Sequence, residues 1–341
     1  MTGSCVCRTI ADSVELAAVV PEWWELWWQA PVATPFQAPA WLIPWWTNFA
    51  PGELCVVAIR LDGRLVGLAP FYCEHGHRGR RALPMGFPVT DYHDVLIAPQ
   101  LEEPVLAALG SHLADAELCD EVEFTELPPH AYALRMATPV GYAANTGNAS
   151  ACPALVLPPT IAELQRTFPA RKRRALRTAH NRAERRGPIE IVAANGDSNF
   201  DGFETLVALH RHRWNSRGEP GVLADSCVQR FHRDALSELS RAGLLRLYQL
   251  QIGGHTAAVY YGFHHRDQAY GYLTGFDPAY AFESPGVILL EHAIVEAARE
   301  GARTFHFLRG REPYKYEWGA RDHWNKKRIL YRIADKADDV A

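Results

Sequence analysis

With 341 residues, of which 48% are hydrophobic and 22% charged, the sequence is that of a folded globular protein, and its composition excludes a disordered or fibrous class. The length is too great for one ordinary domain and fits two, each able to bury a core of its own. A net charge of −4 disfavours nonspecific nucleic-acid binding by the molecule as a whole.

The seven cysteines are scattered, odd in number and without CxxC or metal-type spacing, which points to reduced thiols. No apolar run of 18 residues and no basic-then-apolar leader marks a membrane span or secretory signal. The expected location is cytoplasmic.

In chain order, a helical pattern runs from Asp12 to Trp28 and another from Ala40 to Phe49. Trp23, Trp24, Trp27 and Trp28 form a broad aromatic stripe on the first, and Trp41, Trp45 and Trp46 repeat it on the second. Such stripes serve either as packing between helices and sheet or as a stacking platform for a ligand. A hairpin follows over residues 54–72, with Asp62-Gly63 supplying the positive φ angles of a tight turn. Next come a strand near Asp94 to Ile97, a helix from Glu102 to Ala116 and a strand at Glu121 to Thr125.

Residues 166–187 form a basic helix with Arg171, Lys172, Arg173, Arg174, Arg177, Arg182, Arg185 and Arg186 against the single acid Glu184. Gly187-Pro188 ends it. It reads either as a phosphate surface, for tRNA or a phosphorylated cofactor, or as a solvated connecting helix.

The second half then repeats the order of the first. A strand at Ile189 to Ala193 precedes helices at Phe200 to Arg217 and Ser226 to Ala242, a hairpin over 245–263 turning at Gly253-Gly254, a strand at Gln268 to Phe276, a helix from Pro285 to Gly301 and a strand at Thr304 to Leu308. An antiparallel hairpin with one late crossover helix indicates a mixed α/β, or α+β, sheet used twice. The expected domains are 1–158 and 159–341.

Two segments of the second half carry chemistry. In "FESPGV", Ser284 is placed as an N-cap, Pro285 at the first helical position and Gly286 where a ligand approaches the backbone, so the helix start is an anion seat. In "GREPYKYEWG", Glu312, Tyr314, Lys315 and Tyr316 stand at the end of the last expected strand, where ligands gather in α/β folds. "LHRHRW" and His264-His265 lack the spacing of a helical zinc site, and no metal is expected.

The run from Tyr270 to Gly319 resembles the C-terminal half of GNAT-superfamily proteins of the CelD-like or BioF type, which are related to the Fem-type aminoacyltransferases of peptidoglycan synthesis. The matching features are the turn at Phe276 to Tyr280, the Ser-Pro-Gly helix start, and Gly310, Tyr314, Lys315 and Trp318. The resemblance implies tandem GNAT-like domains, each a mixed, mostly antiparallel sheet flanked by helices.

It also implies an N-acyltransferase. Acyl-CoA, acetyl-CoA in the simplest case, would rest its pyrophosphate on the amides around Ser284, Pro285, Gly286 and Val287. The strand Tyr272 to Gly275, with Thr274, would offer N–H to the thioester carbonyl. The acceptor is a small-molecule or cell-envelope amine, attacking directly in a ternary complex. Tyr314 or Tyr316 suits the acid role, Lys315 a phosphate or transition-state contact, and Glu312 and Asp277 are candidate bases by position.

The sequence departs from the family in its pyrophosphate loop: "AFESPG" has Ala281 and Ser284 where a charged or amide residue and the first glycine stand in relatives. His306 replaces an aspartate common in relatives, and reads as a structural histidine or as a retuned site. Two further readings remain at this stage: an aminoacyl-tRNA-dependent transferase using the helix Arg171 to Arg186, and a GNAT-like binding protein without turnover.

Overall fold

The computed structural model describes residues 3–115, 118–194, 196, 198–215, 218 and 220–333. The expected helix ends at Ala116 and Arg217 lie outside the described residues, as does the stretch 334–341 of the expected second domain. The rest falls into two compact units, residues 3–150 with 324–333, and residues 151–323.

In the first unit, β1 (Val6–Ile10) precedes α1 (Ser13–Gln29) and α2 (Pro39–Phe49). Then come β2 (Glu53–Leu61), β3 (Arg64–Gly76), β4 (Gly79–Pro84), β5 (Leu96–Ile97), α3 (Glu102–Asp115), β6 (Glu121–Leu127) and the one-turn helix α4 (Tyr132–Arg135). β7 (Tyr142–Val156) leads into the second unit, which contains α5 (Ile161–Thr167), α6 (Ala170–Arg186), β8 (Ile189–Ala193), α7 (Ser198–Asn215), α8 (Ser226–Arg241), β9 (Leu245–Ile252) and β10 (His255–His265). β11 (Gln268–Phe276), α9 (Pro285–Arg299), β12 (Thr304–His306), α10 (Pro313–Tyr316) and β13 (Arg321–Arg332) complete the chain.

Several of these elements have causes within a few residues. Asp12 caps α1 by accepting from the amides of Val14 and Glu15, both at 2.9 Å. Both hairpin turns take positive φ at two successive residues, Asp62 (50°) with Gly63 (82°) and Gly253 (61°) with Gly254 (78°). Trp23, Trp27, Trp41 and Trp45 are at most 1% exposed, and the indole N–H groups of Trp23, Trp27 and Trp41 donate to Gln37 O, Thr34 O and Thr90 Oγ1. These four tryptophans are therefore core packing, and the polar ends of Trp23, Trp27 and Trp41 are satisfied.

Within the first unit the strand order is β1-β2-β3-β4-β6-β13, with β5 beside β3, and within the second, starting from the end of β7, it is β7-β12-β11-β10-β9-β8. Each is mostly antiparallel and contains a parallel pair, β4 with β6 and β11 with β12. The repeat reaches further than the hairpins. β6 and β12 are each followed or ended by a non-glycine residue at positive φ, Glu126 at 48° and Leu308 at 59°, and then by a one-turn helix.

The strands β1, β4, β7 and β13 have no counterpart in the sequence reading. β7 is rich in Ala, Asn, Ser and Gly, and β13 in charge, so neither has the apolar alternation of a strand; partners impose their extended form. β7 supplies Ala154–Val156 beside β12, and β13 supplies Lys326–Tyr331 beside β6. The expected boundary at 158/159 thus differs from the observed change at 150/151, and residues 324–333 belong with the first unit.

Two expected strands are shorter in the structure. Only Leu96–Ile97 pairs in the first, because the carboxylate of Asp94 turns to accept from the amides of Val95, Tyr132 and Ala133. β12 stops at His306 because the positive φ of Leu308 breaks the extended path.

Candidate active site

In the second unit β11 stays paired with β10 as far as Phe276, but with β12 only over Gln268–Tyr270. After Tyr270 and His306 the parallel ladder ends while β11 continues. A register shift in β10/β11 makes Tyr272 the extra residue of a bulge, a device that re-aims backbone groups near sites. The amide of Asp277 donates to Ala257 O at 2.9 Å. The alternation of an antiparallel ladder then directs the amides of Leu273 and Gly275 at β10, and that of Thr274 at the edge from which β12 has departed.

The expected donor contacts separate accordingly. The Tyr272 ring packs among His232, Tyr261 and Phe263, with centroids 5.5–5.7 Å away. His232 has no exposed surface, and burial pushes its pKa down to about 3, so the cluster is an uncharged core. A Cβ added at Gly275 would meet Leu206 Cδ1 at 3.0 Å and Leu209 Cβ at 3.2 Å. Gly275 thus makes room for α7, and its amide faces β10. At Gly286, by contrast, the nearest atom to an added Cβ is Phe276 Cδ1 at 3.8 Å. This flank of the α9 start is open.

The turn between β11 and α9 corrects one expectation. Ser284 makes no side-chain capping hydrogen bond; it sits at φ 55°, ψ 51°, and reverses the chain after the 3₁₀ turn Pro278–Glu283. Its carbonyl accepts from Val287 N at 3.0 Å, Pro285 occupies the first helical position as expected, and the amide of Gly286 has no acceptor among the described residues. Asp277 caps the 3₁₀ turn, its Oδ1 accepting from Ala279 N at 2.9 Å, an engagement not foreseen for a candidate base.

α6 lies along this turn and along α9. Arg182 donates to Phe282 O at 3.1 Å, and Arg186 to Ala279 O at 2.8 Å and to Glu283 Oε2 at 3.0 Å. Their guanidinium carbons stand 4.1 Å over the Phe282 ring and 3.8 Å over the Tyr280 ring. His180 Nε2 is 2.9 Å from Glu291 Oε2 on α9, and that carboxylate raises the pKa of the imidazole. Arg171, Arg173, Arg174, Arg177 and Arg185 are exposed and have no acidic partner among the described residues.

At its other end α6 meets the polar motif. Lys172, 3% exposed, places Nζ 3.0 Å from Glu317 Oε2 and 4.3 Å over the Trp318 ring. Trp318 is itself buried edge-to-face against Phe168.

The structure corrects the expected role of Lys315. Its side chain is buried, and Nζ donates to Leu308 O at 3.1 Å, Arg309 O at 2.7 Å and Gly310 O at 3.1 Å, with Glu312 Oε2 at 2.9 Å. The ammonium is committed to closing the turn after β12, with Glu312 as its counter-ion. Tyr316 donates to Asp322 Oδ1 at 2.6 Å, and this bond raises its pKa. Tyr314 keeps 47% of its surface exposed and meets Phe307 edge-on. Burial raises the pKa of Tyr260, the cross-strand partner of Thr274. Of the five acid-base candidates, Lys315, Glu312, Tyr316 and Asp277 are engaged in bonds within the fold, and Tyr314 is an exposed one.

His306 Nε2 donates to Gln268 Oε1 at 2.8 Å and the ring stacks on Tyr270 at 4.9 Å, so it braces the last β11/β12 pair. Among the described residues no group of three or more His, Cys, Asp or Glu side chains is arranged to hold a metal ion, and no helix is long and apolar enough to cross a membrane. The ties from Lys172, Arg182 and Arg186 were not foreseen in the sequence; the i, i+4 spacing of the two arginines on one helix face was the available signal.

Residues 170–316 match the acetyltransferase (GNAT) domain family. No curated protein sequence matches the chain. Among solved structures, FemX superposes with a TM-score of 0.68 at 12% identity, over 96% of this chain and 97% of its own. The C-terminal domain of a putative lysylphosphatidylglycerol synthetase from Agrobacterium fabrum gives 0.55 at 13% identity, over 93% and 92%. L-PGS from Bacillus licheniformis gives 0.52 at 16%, over 81% and 83%. At these identities the likeness is one of fold.

Proposed function

We propose, from the premise that this protein is an acyltransferase carrying a GNAT domain over residues 170–316, that it moves an acyl group from acyl-CoA to the amine of a small-molecule or cell-envelope acceptor. The observation that carries this reading is the parting of β11 and β12 beyond Tyr270 and His306, beside the open start of α9.

In this reading the pyrophosphate of the donor lies against the amide of Gly286, where the helix dipole favours negative charge. The amide of Thr274 donates to the thioester carbonyl and to the oxyanion that replaces it. The acceptor nitrogen attacks the carbonyl carbon, the C–N bond forms and the C–S bond breaks. The nitrogen loses its proton to water or a base, and Tyr314 gives a proton to the departing thiolate.

Thiol release from acetyl-CoA, followed in the presence of a panel of primary amines, tests the scheme. Amine-dependent release that falls on Tyr314→Phe supports it. Release by no amine in the panel, with acetyl-CoA binding absent, counts against it.

A second reading, transfer from aminoacyl-tRNA, is favoured by the five exposed arginines of α6 that have no acidic partner among the described residues. It requires tRNA binding that weakens steeply with salt and depends on those arginines.

A further inference from the structure

The turn Pro278–Val287 raises an electrostatic problem for an anionic donor. It contains no basic side chain, and its acid, Glu283, is 6% exposed and immediately precedes Ser284 at the helix start. A buried carboxylate at that point opposes the attraction that the first turn of α9 exerts on a phosphate.

The compensating charge comes from another element. Arg186 reaches from α6 to Glu283 Oε2 and Ala279 O, and Arg182, one helical turn earlier, reaches to Phe282 O. Arg186 uses only Nη1 for these bonds and Arg182 only Nη1 for its own, so the remaining guanidinium donors of both have no partner among the described residues. Each guanidinium is planar and carries several donors in a fixed fork, the geometry that suits phosphate oxygens. His180 and Glu291 hold α6 against α9 at the neighbouring turn.

We propose that Arg182 and Arg186 supply, from α6, the cationic side that the turn itself lacks, and so make the donor seat selective for a ligand bearing a diphosphate. Arg186 does this in two ways: it neutralises Glu283, and it turns its remaining donors toward the phosphates. Arg182 holds the carbonyl of Phe282 and adds the second charge. The inference rests on the acyl-CoA reading for the identity of the donor, but the seat itself is tested with a simpler anion.

The experiment is calorimetric titration of the full chain with coenzyme A and, separately, with inorganic pyrophosphate. Arg182→Gln and Arg186→Gln are each expected to weaken both ligands about tenfold or more, with unfolding midpoints kept near that of the unsubstituted protein. Arg64→Gln, which removes one exposed charge from the first unit, is expected to leave both affinities unchanged. Because Arg186→Gln also frees a buried carboxylate, the double substitution Glu283→Gln with Arg186→Gln serves as a second probe. If it stays weak, Arg186 contacts the anion; if it restores full affinity, the direct role of Arg186 is overturned.

Unchanged affinity in the Arg182→Gln Arg186→Gln protein, or an equal loss in Arg64→Gln, overturns the proposal. Arginine-dependent binding of pyrophosphate without binding of coenzyme A supports the seat and removes the acyl-CoA reading. Failure of the unsubstituted protein to bind either ligand overturns both.

Discussion

Lys172 Nζ sits 3.0 Å from Glu317 Oε2 and 4.3 Å over the ring of Trp318. The same helix, at its other end, holds the turn before α9 through Arg182 and Arg186. Over 17 residues, α6 therefore braces both segments in which the sequence concentrates its chemistry.

Lys172→Ala removes a buried cation from between a carboxylate and an indole. Because Glu317 is half-exposed and regains water, the expected cost is about 1–2 kcal/mol, read as a lower urea midpoint with an unchanged slope.

Lys315 and Tyr314, adjacent in the sequence, are expected to behave oppositely. Lys315→Met leaves three carbonyls without their donor and costs about 3 kcal/mol, whereas Tyr314→Phe is expected to leave the unfolding midpoint in place. In turnover, Tyr314→Phe is expected to lower kcat about 10- to 100-fold with little change in KM. A Tyr314→Phe protein with full kcat, or a Lys315→Met protein of full stability, contradicts the assignment.

The His180–Glu291 contact has a defined pH dependence. Glu291 raises the imidazole pKa in the folded state, so the contribution is fully present below the unfolded value of 6.5 and is lost as pH rises through the folded value. The stability gap between the natural protein and His180→Gln is expected to be wider at pH 5.5 than at about pH 8.5. Equal gaps at both pH values contradict this.

Ending the chain after His323 removes β13 from beside β6, and with it Arg328, which is 5% exposed and donates to Ala133 O. Hydrogen exchange is expected to show lost protection in β6 and α4, with β9, β10 and β11 still protected. Uniform protection across both units contradicts the division.

Much of the fold was legible because its signals are local. The paired turns at Asp62-Gly63 and Gly253-Gly254, the helix beginning near Asp12 and the helix opening at Pro285 are each set within a few residues. β7 and β13 were not, since nothing in a run such as Tyr142–Val156 announces a strand until its partner lies alongside. The site divides in the same way. The helix start at Pro285 and the chemistry of Tyr314 follow from residue type, but the three carbonyls around Lys315 Nζ depend on the positive φ of Leu308 and Gly310, and that conformation is set by the fold. The arginines that reach Phe282 and Glu283 lie about a hundred residues before them, beyond the reach of any short-range pattern.

The central claim is that an acyl-CoA lies across the open start of α9, and thermal unfolding with and without acetyl-CoA tests it most directly. Added at about a hundred times its dissociation constant, a ligand of the native state contributes about 2.7 kcal/mol and raises the midpoint by several degrees. Because the space beside Gly286 is free out to 3.8 Å, Gly286→Leu is expected to keep the ligand-free midpoint while abolishing the shift. No shift at millimolar acetyl-CoA, or a shift that survives in Gly286→Leu, contradicts the account.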